Sequence, residues 1–182
     1  MNGPDPQALE LLDATRDLAD RVWRSLAPPA VRAAVAAEIR KLADRLGPFE
    51  REAPVQTDIG RELPGRGHPL MPPLLRREEG DRMVGTVTFT DAHAGAGEAV
   101  HGGQVTLLFD DLLGGVAGAV ATSRTAYLNV DYRSLTPMGV ELRVEGWVDR
   151  VEDRKIYVRG QLLDGTRVCA EAEGLFVEVE HH

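Results

Sequence analysis

The sequence predicts an α+β protein in which a five-stranded antiparallel sheet wraps around one central helix, preceded by an N-terminal helical extension. The hydrophobic period changes from three or four residues to two at Asp81, which is typical of a change from helices to strands. Short turns join successive strand-like segments, and such turns require antiparallel neighbours. Residues 98–123, "EAVHGGQVTLLFDDLLGGVAGAVATS", form the one long apolar helical candidate among these strands and are expected to cover the sheet.

Composition narrows the class of protein. The 182 residues fit one domain, with 43% hydrophobic and 27% charged residues. A formal net charge of −8 argues against a general nucleic-acid binder. The single cysteine, Cys169, excludes an intrachain disulfide framework and suits a reducing compartment. With neither a leader peptide nor an uninterrupted apolar span, we expect a cytoplasmic protein without membrane contact.

Residues 1–46 are expected to form the helical extension. Apolar residues recur there at three- and four-residue steps, among them Leu11, Leu18 and Val22. Pro28-Pro29 divides the pattern into two helices, and Gly47-Pro48 ends the second. Charges of both signs on the outer faces indicate two surface helices, whose role the sequence leaves open.

Residues 47–80 are expected to form a loop rich in proline and glycine. Its stretch "LPGRGHPLMPPLL" is too apolar for a plain linker, so we expect it to pack over the core or over a ligand channel.

Residues 81–180 form the predicted sheet-and-helix domain. The turns "EDR" and "DG" separate its last strands, and alternating polar and apolar residues indicate that one face of the sheet is covered. The five strand-like segments are "RMVGTVTFT", "AYLNVDY", "VELRVEGWV", "KIYVRGQLL" and "TRVCAEAEGLFVEV". The closing His181-His182 is interpreted as a possible remnant of a purification tag.

The apolar helix carries groups suited to catalysis. If it begins at Gly102-Gly103, its first N–H groups are free and side chains do not block them, so they can stabilise negative charge on a carbonyl oxygen. Helical spacing places Thr106 and Asp110 on the same stripe as Gly103. A carboxylate there is costly unless it is paired or used for chemistry, so Asp110 is a candidate base or nucleophile. Asp111, on the next stripe, is expected to be a structural or dimer-contact acid.

The spacing of these groups predicts an assembly. Gly103 and Asp110 are seven residues apart, or roughly 10 Å along a helix, whereas groups acting on one carbonyl must lie about 3 Å from it. An antiparallel pair of these helices in a homodimer, with Thr106 near the two-fold axis, would place Gly102 of one chain opposite Asp110 of the other.

The segments "HGGQVTLLFDD", "TAYLNVDYRSLTP" and "GWVDRVEDRKIYVRGQLLDGTRVCAEAEGLF" resemble the PaaI-type hotdog-fold acyl-CoA thioesterases over about residues 80–178. The resemblance implies a hotdog fold, a homodimer or a dimer of dimers, and hydrolysis of acyl-CoA without a metal or other cofactor. It implies that Gly102 donates to the thioester oxygen, that Asp110 attacks the carbonyl or activates water, and that Thr125 helps to hold the water.

The residues expected to contact substrate are His101, Gly103, Thr106, Asn129 and His93. His101 can equally shape the loop, and Asn129 can pair locally on its strand. The sequence departs from the family at Gly95, where some members carry an asparagine, and His93 is a candidate to replace that polar group.

Two other functions remain open. The missing asparagine and the additional helices fit a non-catalytic acyl-CoA or lipid-binding module. An enoyl-CoA hydratase is favoured less, because "DAHAGAGEAVHGG" lacks the Asn-Pro of the hydratase motif. Neither the acyl group nor the choice between dimer and tetramer follows from the sequence.

Overall fold

The structure, a computed structural model, describes residues 5–50 and 62–179. Part of the predicted loop and the pair His181-His182 lie outside these residues. The α-helices of the described chain are α1 (Pro6–Arg24), α2 (Pro29–Leu46) and α3 (Gly102–Gly118). Its strands are β1 (Leu75–Glu79), β2 (Arg82–Thr88), β3 (Ser123–Tyr132), β4 (Glu141–Glu152), β5 (Lys155–Asp164) and β6 (Arg167–Glu178).

The strands form one antiparallel sheet in the order β1-β2-β4-β5-β6-β3, with α3 packed on one face. The predicted α+β class and the helix covering the sheet are confirmed, but the sheet has six strands. The additional strand is β1, "LRREE", inside the segment expected to be a loop. Its residues are mostly charged and exposed, so it carries no alternating pattern, and it is held by backbone pairing with β2.

The buried side of α3 and the face of the sheet against which it packs form the core. Eight residues of α3 are buried, among them Leu108, Phe109 and Leu112. Glycines let the helix approach the sheet closely: a Cβ atom built on Gly146 of β4 would lie 3.0 Å from a methyl group of Leu113. A larger residue there would push helix and sheet apart, so the glycine sets the depth at which α3 sits.

The first helix of the extension is fastened to the domain by polar contacts and one buried leucine. Leu12 is buried, and the Asp20 carboxylate accepts a hydrogen bond from the backbone N–H of Ala92 at 2.7 Å. Arg16 donates from Nη2 to the carbonyl oxygens of Pro64, His68 and Met71 at 2.9, 3.2 and 3.3 Å, which ties the described part of the loop to α1. The loop residues Leu63 and Leu74 are buried, so the loop packs over the core.

The second helix has a different environment. No residue of α2 is buried.

Within residues 5–50 and 62–179, no helix combines the length and the apolar character needed to cross a bilayer.

Asp111 anchors the loop and the edge of the sheet to α3. Its side chain is 4% exposed and lies 2.9 Å from Nε of Arg66 and 3.4 Å from Nη1 of Arg76. Arg76 also donates from Nη1 to the Asp111 carbonyl oxygen. Arg66 has a φ of 56°, a left-handed conformation that is costly for a residue with a side chain, so its contact with Asp111 helps to hold that turn. Asp111 is therefore a structural acid within its own chain.

We expect Asp111→Asn to lower the free energy of unfolding by about 2–3 kcal/mol, because it removes a buried charge from two arginines that are themselves partly exposed. Urea denaturation followed by circular dichroism measures the change. Asp17→Asn is the matched control, since the Asp17–Arg21 pair is exposed on both sides, and it should change stability far less. Equal effects of the two substitutions would contradict this role of Asp111.

Candidate functional site

The predicted chemical groups meet on a surface formed by α3 and β3, which we call the α3–β3 face. It is defined by Gly102, Thr106 and Asp110 of α3 and by Thr125 and Tyr132 of β3. The three α3 residues are half-buried, on the side of the helix that the sheet does not cover fully. β3 ends the sheet: one of its edges pairs with β6, and no strand of the described chain pairs with the other.

Asp110 is oriented by Thr125. The Thr125 hydroxyl donates to Oδ1 of Asp110 at 3.0 Å. The pairing of β3 with β6 shifts register between Thr125 and Tyr127, and such a bulge redirects neighbouring side chains. Two residues that the sequence placed in one site are thus in direct contact, and one oxygen of the carboxylate has a fixed hydrogen-bond donor.

The start of α3 has one free backbone donor. His101 is the N-cap, and its Nδ1 accepts the Gly103 N–H at 3.0 Å, so neutral His101 carries its proton on Nε2. The Gly102 N–H makes no hydrogen bond to any acceptor in residues 5–50 or 62–179. At a helix N-terminus this N–H adds to the positive end of the helix dipole and suits a developing oxyanion.

Tyr132 belongs to the same face, and sequence reasoning missed it. Its hydroxyl donates to the Gly102 carbonyl oxygen at 2.8 Å and lies 2.9 Å from the Thr106 hydroxyl, which itself reaches the same carbonyl at 3.2 Å. A Cβ atom on Gly102 would lie 3.2 Å from the Tyr132 hydroxyl oxygen. The tyrosine therefore fixes the first turn of α3, and a Cβ atom at residue 102 fits once the Tyr132 hydroxyl shifts by a few tenths of an ångström.

The Gly102 N–H and the Asp110 carboxylate lie at different positions along the axis of α3. The helix is continuous from Gly102 to Gly118, so Gly102 and Asp110 are separated by eight residues, or roughly 12 Å along the axis. One chain therefore does not bring the Gly102 N–H and the Asp110 carboxylate to the same carbonyl group.

The region upstream of α3 is packed and has no room for the expected polar group. His93 is buried, its Nδ1 accepts the Thr90 N–H at 3.0 Å, and its ring meets Phe89 edge-on. At Gly95, a Cβ atom would lie 2.8 Å from Cα of His101, so an asparagine does not fit without a shift of the backbone. The structure thus places His93 in a buried turn that supports His101, whose N–H donates to the His93 carbonyl at 2.9 Å.

Two other features concern the predicted site. Asn129 lies on β3 and is exposed. Among the described residues, no group of three or more histidine, cysteine, aspartate or glutamate side chains is arranged to hold a metal ion.

Comparisons with known proteins give a consistent family. A crystal structure of a thioesterase superfamily protein is 29% identical with a TM-score of 0.83, over 97% of each chain, so the likeness includes the N-terminal helices. A thioesterase superfamily protein from Shewanella loihica is 32% identical with a TM-score of 0.51, over 59% of this chain and 91% of that one.

Two further relatives are more distant or partial. The acyl-coenzyme A thioesterase THEM4 of Xenopus laevis is 32% identical over 84 residues, which span 43% of this chain but only 37% of the frog protein. The PaaI protein of Escherichia coli, 14% identical over 59% of this chain and 80% of that one, has the same fold with a TM-score of 0.55. No protein-family model matches the chain.

The position of His93 predicts a pH dependence of stability. Burial lowers the pKa of the His93 imidazole below its ordinary value of 6.5. Below about pH 6.5 the unfolded chain then binds the proton more readily than the folded one, so stability should fall as the pH decreases from 6.5 towards the lowered pKa.

Urea unfolding at a series of pH values between 7.5 and 5 checks this expectation. His93→Gln should flatten the dependence, whereas His68→Gln, at an exposed histidine, should leave it unchanged. An unchanged slope in His93→Gln would contradict the buried role of His93.

Proposed function

We propose that this chain, which belongs to the thioesterase superfamily and has the hotdog fold of PaaI-type proteins, hydrolyses acyl-CoA thioesters to a free acid and CoA. Its relatives support a thioester hydrolase activity in general. The observation that carries the proposal is the pairing of Thr125 with Asp110 on the face where the Gly102 N–H is free. An acyl-CoA substrate follows from the named activity of the frog relative, of which the chain matches a minor part.

The complete site is proposed to form between two copies of the chain. The separation of Gly102 and Asp110 along α3 supports this, because a second helix running antiparallel would bring the acid of one copy to the amide of the other. The open edge of β3 also supports it, since a strand of ten residues with an unpaired edge is suited to pairing with a second copy. Two such sites would form in each dimer, and a dimer of dimers would keep both.

The proposed chemistry needs few groups. The thioester oxygen accepts the Gly102 N–H, which stabilises the charge that develops as the carbonyl carbon is attacked. Asp110 of the second copy either removes a proton from the attacking water or attacks the carbon itself, forming an anhydride that water then cleaves. In the first route the C–S bond breaks and the CoA sulfur takes the proton that Asp110 removed from the water. In the second route the C–S bond breaks as the anhydride forms, the CoA thiolate takes a proton from solvent, and water then cleaves the anhydride to release the free acid and restore the carboxylate. Thr125 keeps the carboxylate oriented, and we propose no metal or other cofactor.

Asp110→Asn is expected to lower kcat/KM for acyl-CoA hydrolysis at least about a hundredfold, because an amide is neither a base nor a nucleophile. Release of free CoA, measured with a thiol reagent over aliphatic and aromatic acyl-CoAs, provides the assay. Asp131→Asn is the control, since Asp131 is an exposed carboxylate on the same strand, paired with Arg133, and it should retain activity. Full turnover by a folded Asp110→Asn variant would refute the assignment.

A subunit-mixing experiment tests the shared site. Gly102→Pro removes the N–H at the first helical position, where proline is tolerated, and the extended backbone of His101 suits a following proline. We expect Gly102→Pro and Asp110→Asn to be nearly inactive alone. Chains of the two variants that associate at random should recover about a quarter of wild-type activity, since half of the dimers are mixed and one of their two sites is intact.

The control for mixing is Gly102→Pro combined with Asp110→Asn in one chain, mixed with either single variant. That mixture has no intact pair of groups and should stay inactive. Recovery confined to preparations that contain wild-type chains would show that each site is built from one chain.

A binding module is the second candidate, and Gly95 favours it. The structure leaves no room at residue 95 for the asparagine of some family members, so one polar group is absent from the approach to α3. Calorimetric titration with acyl-CoA, followed by measurement of free CoA, separates the two functions. Saturable binding without release of CoA would support the module and exclude the hydrolase.

A further inference from the structure

The helix α2 presents an apolar seam that nothing in the described chain covers. Val35, Leu42 and Leu46 are 41, 52 and 51% exposed, and Ile39 lies between them on the same side of the helix. Phe49, in the turn that follows, is 82% exposed. This α2 seam, Val35, Ile39, Leu42, Leu46 and Phe49, is too large to be explained by scattered surface leucines.

The seam has the spacing of a coiled coil. From Val35 to Leu46 its steps of four, three and four residues are those of the a and d positions of a heptad, which make a narrow stripe suited to one partner helix, and Phe49 follows in the 3-10 turn after α2. Ala36 and Ala43 flank it on one side, so a partner can approach closely there. Glu38 and Arg45 flank it on the other. The next heptad position towards the start of α2, three residues before Val35, is Arg32.

In one antiparallel register, each of these residues lies beside a compatible residue of a second α2 helix. It places Val35 against Leu46 of a second copy, Ile39 against its Leu42, and the stem of Arg32 against its Phe49. In the same register Glu38 lies beside Arg45 of the second copy, and the two-fold axis repeats every pair. A parallel arrangement would instead stack Arg32 on Arg32, which is repulsive.

We propose that α2 pairs antiparallel with α2 of a second copy of this chain. The two signs of charge beside the seam favour this partner over an anionic lipid surface, which would select lysine and arginine alone. A helix pair this short buries less than the roughly 1,200 Å² of a stable interface. We therefore expect the α2 pair to act together with a second contact between the same two copies. The unpaired edge of β3 is available for that contact.

Disulfide trapping tests the pair and its direction. Val35→Cys and Leu46→Cys are prepared separately in the full chain, mixed under reducing conditions, and then oxidised. The antiparallel register predicts a covalent two-chain species in the mixture and little from either variant alone, because Val35 lies eleven residues, or roughly 16 Å, from Val35 of the second copy. Cys169 is buried and common to all samples.

Absence of the two-chain species from the mixture would overturn the proposal. Equal yield from Val35→Cys alone would overturn the antiparallel register. Circular dichroism of each variant confirms that α2 remains helical, so a failed cross-link cannot be ascribed to unfolding.

A charge exchange in the same cysteine variants supplies the matched control. Glu38→Arg should reduce the cross-linked fraction about fivefold, because two like-charge contacts replace two attractive ones. Adding Arg45→Glu to the Glu38→Arg variant should restore cross-linking, because each contact again joins opposite charges. This double exchange leaves the net charge of the helix equal to that of the wild type. Failure of the second substitution to restore cross-linking would contradict the Glu38–Arg45 contact, and competition by phosphatidylserine vesicles that bind the chain would point to a lipid surface instead.

Discussion

The close packing of α3 on one face of the sheet is the constraint on which the rest of the structure depends. Gly146 lets the helix approach until Leu113 lies against the strand. The apolar side of α3 is then buried in the core. The remaining narrow stripe of the helix stays half-buried beside β3. A carboxylate and a free amide on that stripe are shielded on one side and accessible on the other, which suits chemistry on a bound carbonyl group.

The adjacent acids Asp110 and Asp111 show how one turn of helix separates two tasks. Successive residues point about 100° apart, so the sheet-side acid is buried and the other is not. Asp111 holds Arg66 and Arg76 and thereby fixes a loop and an edge strand. Asp110 has only the Thr125 hydroxyl as a near partner among the described residues. Acids in an apolar helix are therefore compatible with its burial, because one is paired and the other faces the edge.

The extension contributes in two ways. Arg16 and Asp20 of α1 bind carbonyl and amide groups of the domain, so α1 is part of the packed body. α2 makes no such hydrogen bonds to the domain within the described residues, and its apolar seam stays exposed there. This exposure, the open edge of β3 and the distance between Gly102 and Asp110 along α3 are the three observations behind the proposed contacts between two copies.

The sequence by itself determined what depends on local periodicity and spacing. It determined the alternating strands and the apolar helix that begins at Gly102-Gly103, and it made Gly102 and Asp110 candidate site residues, to which the family resemblance added Thr125. Only the tertiary structure decided the contacts between distant segments. Tyr132 meets Gly102 thirty residues away, and Arg66 meets Asp111, without any repeating pattern that marks them. The formation of the charged strand β1 and the burial of the His93 ring also depend on tertiary contacts. Backbone pairing with β2 forms the strand, and the residues packed around His93 bury its ring.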